Sequence, residues 1–429
     1  MLRSMFAGVS GLDANQTMMD VVGNNIANVN TVGFKGSSTE FADLLSQTLN
    51  GAGSPTAGLQ GGTNAAAVGL GVRLQAINTN WTQGASEQTG RSTDFAIQGD
   101  GLFVVNVGGA REYSRAGSFN LDALGQLVTP DGGLVQGWQA VNGVVNQNAS
   151  IGTLRIPVGQ TIQAQTTATM TLGGNLPADA ATGTTINTSI NVYNSLGTSI
   201  PLRVQFTKVA NGAGTVDWQV DEYDPDGNHI AGPQTLQFLQ STGEISAPAS
   251  RTLNLTQAQL NAIKVGGATP AGGWNAGGVN ISFGTATAPD RVTGAATQNT
   301  VAALSQDGSP IGSLVSFSVG EDGTISGVFS NGKNQPIGQL ALANFANPGG
   351  LQKAGGSLYT SSVNSGNPQI GVPGAGGRGT LSGGNVEMSN VDLASEFTKL
   401  IVAQRGFEAN SKIITASDEI LQTLVDMKR

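Results

Sequence analysis

The chain has 429 residues, enough for about two to three domains, with 63 glycines and only 11% charged residues. The absence of cysteine and the presence of one histidine exclude disulfide frameworks, thiolate chemistry and multi-histidine metal sites. A net charge of −8 without a basic cluster disfavours nucleic-acid binding, and no apolar run is long enough for membrane insertion.

The first predicted element is a helix within residues 1–29. Apolar residues spaced by heptads are typical of a helix that packs lengthwise against another helix. The glutamine and glycine that interrupt this spacing make the predicted seam imperfect. The large apolar residues at the heptad positions are Leu2, Met5, Val9, Leu12, Met19 and Ile26.

The middle of the chain predicts β-structure, because short apolar runs alternate with glycine turns. Residues 72–158 and 298–363 share this pattern, and we interpret them as one inner β domain. Residues 159–297 have hairpin signals of their own and are interpreted as an outer β domain inserted into the inner one. The glycine-rich segments 30–71 and 364–387 are predicted to be flexible linkers.

The last predicted element is a helix within residues 388–429, with Ser389, Asn390 and Asp392 where an N-cap and an acidic first turn are expected. It is either an ordinary amphipathic helix on its own domain or a partner for the N-terminal helix or for other subunits. Gly406 weakens this helix by about 1 kcal/mol relative to alanine, or else permits close packing. The predicted fold class is therefore mostly β with terminal α-helices, in nested and discontinuous domains. The large apolar residues of this helix are Leu393, Phe397, Leu400, Phe407, Ile414 and Leu421.

Three patterns suggest chemistry, and each has a simpler structural interpretation. The G-x-G-x-x-G match at residues 374–379 lacks the strand and helix that a dinucleotide site requires. The four tryptophans are spread along the chain, as core residues are. A dense polar cluster lacks the spacing of a calcium loop and is interpreted as a solvated β-turn. We therefore predict no catalytic residue, no metal site and no cofactor. The cluster consists of Asp221, Glu222, Asp224, Asp226 and His229.

Two motifs, residues 24–35 (NNIANVNTVGFK) near one end and residues 400–410 (LIVAQRGFEAN) near the other, resemble the bacterial flagellar rod and hook protein family. Residues 400–410 (LIVAQRGFEAN) are similar to the C-terminal helix of the family, and residues 390–393 (NVDL) to its start. Residues 94–97, 101–103 and 113–119 resemble the β domain that its members share. The N-terminal signature, NNIANVNTVGFK, is carried by Asn24, Asn25, Ala27, Asn28, Gly33, Phe34 and Lys35.

The resemblance implies a structural protein rather than an enzyme. The 159–297 insertion favours the hook-forming members, whose subunits build a curved helical tube that transmits motor torque from rod to filament as a universal joint. The implied partners are other copies of the chain, the distal rod protein, the hook cap protein, the hook–filament junction protein and the flagellar type III export apparatus. Export without a cleaved signal peptide and an extracellular hook location follow from the same resemblance. A distal rod-type protein and a surface adhesion module remain alternatives.

Overall fold

The computed structural model describes residues 2–55, 61–141, 143–159, 161–285 and 287–427. It confirms the predicted fold class, because a long helix lies near each end of the chain and strands dominate between them. The chain divides into two compact units. Unit 1 comprises Met1–Ile156, Phe317–Ser326 and Pro336–Arg429, and unit 2 comprises Pro157–Ser316 and Gly327–Gln335.

The described elements follow one another in this order. Helix α1 (Leu2–Ala27) precedes β1 (Ser37–Asp43), β2 (Gln47–Asn50), β3 (Ala66–Val68), β4 (Val72–Thr79), β5 (Ser86–Gln88), β6 (Phe95–Gln98), β7 (Leu102–Val107), β8 (Ala110–Ser114), β9 (Asn120–Leu121), β10 (Leu127–Val128), β11 (Leu134–Val141), β12 (Val144–Val145) and β13 (Gly152–Thr153). Next are β14 (Thr161–Ile162), β15 (Thr169–Asn175), β16 (Thr185–Tyr193), β17 (Ser199–Lys208), β18 (Thr215–Tyr223), β19 (His229–Leu239), β20 (Ile245–Ala247), β21 (Thr252–Leu255), α2 (Gln257–Asn261), β22 (Val279–Ser282), β23 (Val292–Thr293) and β24 (Ala302–Gln306). The last are β25 (Gly312–Val319), β26 (Thr324–Phe329), β27 (Asn334–Leu340), β28 (Leu342–Asn344), a 3₁₀ turn (Pro348–Gly350), β29 (Gln352–Gly355), β30 (Leu358–Thr360), β31 (Gln369–Gly371), β32 (Thr380–Gly383), β33 (Asn385–Glu387) and α3 (Leu393–Asp426).

Unit 1 contains an antiparallel sheet in which β11, β7, β8, β30 and β29 lie side by side. Strand β7 forms its centre, since LFVVNV is apolar enough to be buried on both faces. Strand β28 also pairs with β7. One core cluster of this unit consists of Leu102, Val104, Tyr113, Trp138, Ala341, Ala343 and Phe345.

The two segments that composition predicts to be flexible linkers contain paired strands, so this expectation is corrected. Strand β1 pairs with β4 and β2 with β3, while β32 pairs with β6 and β33 with β5. Strand pairing uses backbone N–H and C=O groups, which small side chains do not obstruct. The chain therefore passes from the helices into the β-structure through hydrogen-bonded ladders.

Two sheets of unit 2 bury one shared core. Strands β16 to β20 form an antiparallel meander, and the second sheet has the order β21, β22, β15, β23, with β24 also paired to β15. Alternation along β17 buries one face of the strand, the pattern of a half-buried strand. Helix α2 begins in a capping box formed by Thr256 and Gln259. The largest core side chains are those of Phe206, Trp218, Phe238 and Phe283.

The prediction of a solvated turn at the acidic cluster is wrong for three of its five residues. Asp221 and Glu222 belong to strand β18, and both are buried together with Asp224. Asp226 and His229 are exposed. The chain does turn here, with Gly227 at φ 87°, a conformation that glycine adopts without strain. The strand simply extends further into the acidic run than turn statistics suggest.

Candidate functional site

The terminal helices α1 and α3 pack antiparallel through small residues. A methyl group at Gly11 would lie 2.6 Å from Nδ2 of Asn410, and one at Gly406 would lie 2.7 Å from Oδ1 of Asn15. The two backbones therefore approach closely wherever a glycine faces the other helix. This resolves the two interpretations of Gly406 in favour of close packing.

The face between the two helices is completed by further small or polar side chains. On α1 the buried residues 8, 11, 14, 22 and 25 are separated by three or eight positions, which places them on one side of the helix. A methyl group at Gly8 would lie 3.2 Å from Cγ1 of Ile414. The other buried residues of this face are Ala14, Val22, Ala403 and Ser417.

Many large apolar side chains of α1 and α3 are exposed to solvent. Phe6 is 67% exposed, Ile401 57% and Phe397 50%. Isolated exposed apolar residues are ordinary, but many on one pair of helices indicate an interaction surface. We call this set the exposed helix stripe. It consists of Phe6, Val9, Leu393, Phe397, Ile401, Val402, Phe407, Ile413, Ile420, Val425 and Met427.

The predicted heptad seam only partly coincides with the contact between α1 and α3. Val9, Leu393, Phe397 and Phe407 belong to the exposed helix stripe, and the side chain of Leu2 lies outside the described residues. The heptad count followed large residues, whereas the closest approaches between α1 and α3 occur at glycines, with Ile414 packed against Gly8. The remaining seam residues are partly buried: Met5, Leu12, Met19, Ile26, Leu400, Ile414 and Leu421.

The N-terminal signature joins the end of α1 to the start of α3. Nδ2 of buried Asn25 donates to Oε2 of Glu396 at 3.0 Å and to the carbonyl of Ser37 at 2.7 Å. Its Oδ1 accepts from the Ser37 N–H at 2.9 Å. Nζ of Lys399 donates to the other oxygen of Glu396 at 2.6 Å. One side chain therefore ties both helices and β1 together.

A buried ionic triad lies where the same signature enters the β-structure. Nζ of Lys35 donates to Oε1 of Glu387 at 2.6 Å, and Nε of Arg115 donates to Oε2 of Glu387. The backbone N–H of Gly84 also donates to Oε1 of Glu387. Burial lowers the pKa of Lys35, and the hydrogen bond and charge of Glu387 oppose that shift. The rest of the Arg115 guanidinium donates to the carbonyls of residues 97, 99 and 101.

The other signature residues shape the turn between α1 and β1. Gly33 has φ 67°, and a methyl group there would lie 2.5 Å from the backbone nitrogen of Ala116. Nδ2 of Asn28 donates to the carbonyl of Asn24 at 2.9 Å and caps the end of the helix. Asn24 and Ala27 are exposed, and the ammonium of Lys353 lies 5.2 Å from the centre of the Phe34 ring.

Three residues of these networks, Arg115, Glu387 and Glu396, were not among the predicted site residues. Each is a charged residue in a chain with few charges, flanked by apolar, small or hydroxyl residues. That contrast is the signal in the sequence that marks them, because charged residues are rarely fully buried unless they are paired.

A cavity of about 290 Å³ lies beside the triad, and Lys35, Trp81, Arg115 and Phe345 are among the residues that line it. Both cations already donate to Glu387 and to backbone carbonyls. The cavity therefore offers no free cation to a ligand. In the described ranges no cluster of His, Asp and Glu could hold a metal ion, and no helix is long and apolar enough to cross a membrane.

Four family models match successive parts of the chain. They are Flagella basal body rod protein (residues 5–35), Flagellar hook protein FlgE/F/G D1 domain (96–192), Flagellar basal body protein FlaE D2 domain (161–309) and Flagellar basal body rod FlgEFG protein C-terminal (382–427). The first model covers the signature at residues 24–35, and the last covers residues 390–393 at the start of the C-terminal helix.

Similar proteins carry both hook and rod names. The Flagellar hook protein FlgE of Treponema pallidum (strain Nichols) is 39% identical over 471 residues, covering 100% of both chains. The Flagellar basal-body rod protein FlgG of Bacillus subtilis (strain 168) is 33% identical, also over 100% of both. The crystal structure of Helicobacter pylori flagellar hook protein FlgE2 has the same fold, with a TM-score of 0.51 and 16% identity over 69% of this chain and 98% of that one.

Proposed function

This chain belongs to the family of flagellar hook and basal-body rod proteins, in which it is a structural subunit of the hook, and we propose that its copies stack into a curved helical tube that transmits torque. The observation that carries the proposal is the exposed helix stripe. The helices are already sealed against each other by small residues, so the large apolar side chains are left for contacts with other copies.

The physical basis of assembly is the burial of that stripe. Burying one large apolar side chain contributes roughly 1.5–3 kcal/mol. Contacts between unlike surfaces of identical subunits, related by a rotation that does not close, extend into an open helical tube. On this proposal the terminal helices line the tube, and the predicted seam residues contribute to its inner layer.

We propose that the β domain of residues 72–158 and 298–363 forms the middle layer and that residues 159–297 form the outer surface. A surface with few charges lacks strong directional ion pairs. Neighbouring outer domains can then slide between contacts of nearly equal energy as the tube bends.

The partners proposed on the same basis are the distal rod protein, the hook cap protein and the hook–filament junction protein. We also propose export of the chain through the flagellar type III apparatus without a cleaved signal peptide, and an extracellular site of assembly. The function is structural, and no enzymatic activity is proposed.

Replacement of one stripe residue tests the assembly proposal. Ile401→Ser removes an exposed apolar side chain from α3, and Gln404→Ser is the matched control at an exposed polar position of the same helix. The monomers of both variants should have the same helicity and thermal midpoint as the parent chain. Because an apolar contact in each interface is lost, Ile401→Ser should raise the concentration needed for tube formation by roughly 10- to 100-fold.

Electron microscopy of the assembled material and sedimentation of the polymer would report the outcome. Equal assembly of Ile401→Ser, Gln404→Ser and the parent chain would contradict the role of the stripe. A loss of helicity in the Ile401→Ser monomer would show that the residue supports the fold rather than the polymer.

A rod-type role is the second candidate, because a full-length relative carries a rod protein name. Gold-labelled antibody against residues 159–297 would distinguish the two on isolated flagella. Label along the curved segment between rod and filament supports the hook assignment and an outer position of this domain. Label confined to the rod would favour the rod-type candidate.

A further inference from the structure

Glu222 is a buried carboxyl group that the proposed assembly does not use. It is fully buried in β18, and neither carboxyl oxygen has a hydrogen-bond partner among the residues that the structure describes. Its cross-strand neighbours are Val204 on β17 and Ala231 on β19, both members of the core of unit 2. The carboxyl group therefore lies against apolar side chains.

Among the residues with described positions, no cation is placed to pair with the carboxyl group of Glu222. On the opposite face of the same strands, the guanidinium of Arg203 lies 4.6 Å from the Tyr223 ring, and Nε2 of His229 lies 3.1 Å from Oδ1 of Asp221. The elements α2, β15, β16 and β20 to β24 contain no charged residue.

Two further charged groups near these strands have partners of their own. Nζ of Lys208 donates to the carbonyl of Asp217 at the far end of the sheet. The carboxylate of Asp224 accepts from the backbone nitrogens of Asn228 and Lys264. Glu222 therefore lies between apolar cross-strand neighbours and beside the like charge of adjacent Asp221.

A charged carboxylate in such surroundings is costly, whereas the neutral acid is tolerated. Burial, and after it the charge of Asp221, raises the pKa of Glu222 from 4.5 to about 8. The folded unit thus retains a proton that the unfolded chain releases above pH 4.5. Stability is full below that pH and falls as the pH rises from about 4.5 to about 8, because the unfolded chain binds fewer protons.

We propose that Glu222 is a pH-sensitive element of unit 2, which keeps the unit tightly packed while its carboxyl is protonated and loosens it in alkaline medium. The proposal concerns the stability of one unit and does not depend on tube assembly. It applies to the free chain and to the polymer alike.

Hydrogen exchange of the full chain, resolved by segment with mass spectrometry, tests the proposal. Between pH 6 and pH 9 the protection of β17 to β19, corrected for intrinsic exchange rates, should fall on the order of 100-fold. In Glu222→Gln it should stay within about threefold, since the amide does not ionise. Asp179→Asn, which changes an exposed carboxylate of the same unit, should behave like the parent chain.

Strands β7 and β8 of unit 1 serve as the internal reference. An equal fall in protection in Glu222→Gln, or no fall in the parent chain, would overturn the proposal. Should Glu222→Gln fail to fold, carbon-13 NMR of glutamate carboxyl groups in the parent chain provides the decision. A carboxyl titrating near pH 8 supports the proposal, and titration of every glutamate below pH 6 refutes it.

Discussion

Replacing Glu387 by glutamine should destabilise unit 1 strongly. The carboxylate lies between Lys35 and Arg115, and all three side chains are at least 95% buried. A neutral amide leaves two buried cations without a counter-ion. It also turns an N–H group toward at least one of the three donors from which Glu387 now accepts, Lys35, Arg115 and the Gly84 N–H.

The expected loss follows from the burial of the triad. Removing one partner of a buried ion pair costs about 3–5 kcal/mol, mostly through the charge that remains unpaired. With a urea dependence of about 2–3 kcal/mol per molar, the unfolding midpoint of unit 1 should fall by roughly 1–2 M.

Pulse-labelling hydrogen exchange across a urea series would measure this midpoint, with β6 and β7 reporting on unit 1 and β17 to β19 on unit 2. The matched control is Glu408→Gln, which removes an exposed carboxylate that pairs with Arg405 at 3.3 Å. Exposed pairs contribute about 0–1 kcal/mol, so the control midpoint should barely move.

A second variant separates charge from packing. Lys35→Met combined with Glu387→Gln removes one cation together with the carboxylate, and its loss should be smaller than the sum of the two single losses. A midpoint for Glu387→Gln within about 0.2 M of the parent chain would refute the reasoning, because the triad would then carry no net stabilisation.

Three further predictions concern single residues of unit 1. Gly33→Ala should lower the free energy of unfolding by about 1–3 kcal/mol, because the backbone φ of Gly33 is positive. Gly23→Ala, on the exposed face of α1, should raise the free energy of unfolding by roughly 1 kcal/mol, because alanine has the higher helix propensity. Thermal unfolding measures both changes. Asn25→Ala should lower the free energy of unfolding by about 1–3 kcal/mol and increase hydrogen exchange at the start of α3, because Glu396 loses a buried hydrogen-bond donor. Unchanged exchange at the start of α3 would contradict the role of Asn25 in joining the two helices. Burial raises the pKa of Tyr359 to about 12, so absorbance near 295 nm should show Tyr359 ionising at a higher pH than a free tyrosine. The folded chain loses stability between pH 10 and 12, because the unfolded chain releases this proton first. This loss should be smaller in Tyr359→Phe.

Apolar periodicity was sufficient to predict the two long helices and the β character of the middle. It did not reveal which residues join the helices. A heptad count records large side chains, and it cannot tell whether they face the same chain or another copy. Gly8, Gly11 and Gly406 make the contact within the chain, and their role depends on the distance between two backbones that are far apart in sequence.

Turn statistics and glycine content also gave wrong predictions, a solvated turn for the acidic run and flexible linkers for the glycine-rich segments. Turn statistics describe residues 224–227 correctly, but not that β18 continues as far as Tyr223 and turns Glu222 inward. The segment around β33 has a flexible composition, and its order comes from pairing with β5. Such pairing is a long-range property, so composition alone does not predict it.

The buried triad has a consequence for the order of folding. Lys35 and Glu387 are separated by 352 residues, and Arg115 comes from a third segment. A chain that lacks its last fifty residues has two cations at this position and no acid between them. Unit 1 therefore reaches its native packing only after its C-terminal segment has arrived, because the closing contacts span almost the whole chain and must overcome its loop entropy. A chain that ends before Glu387 lacks the acid that closes this contact.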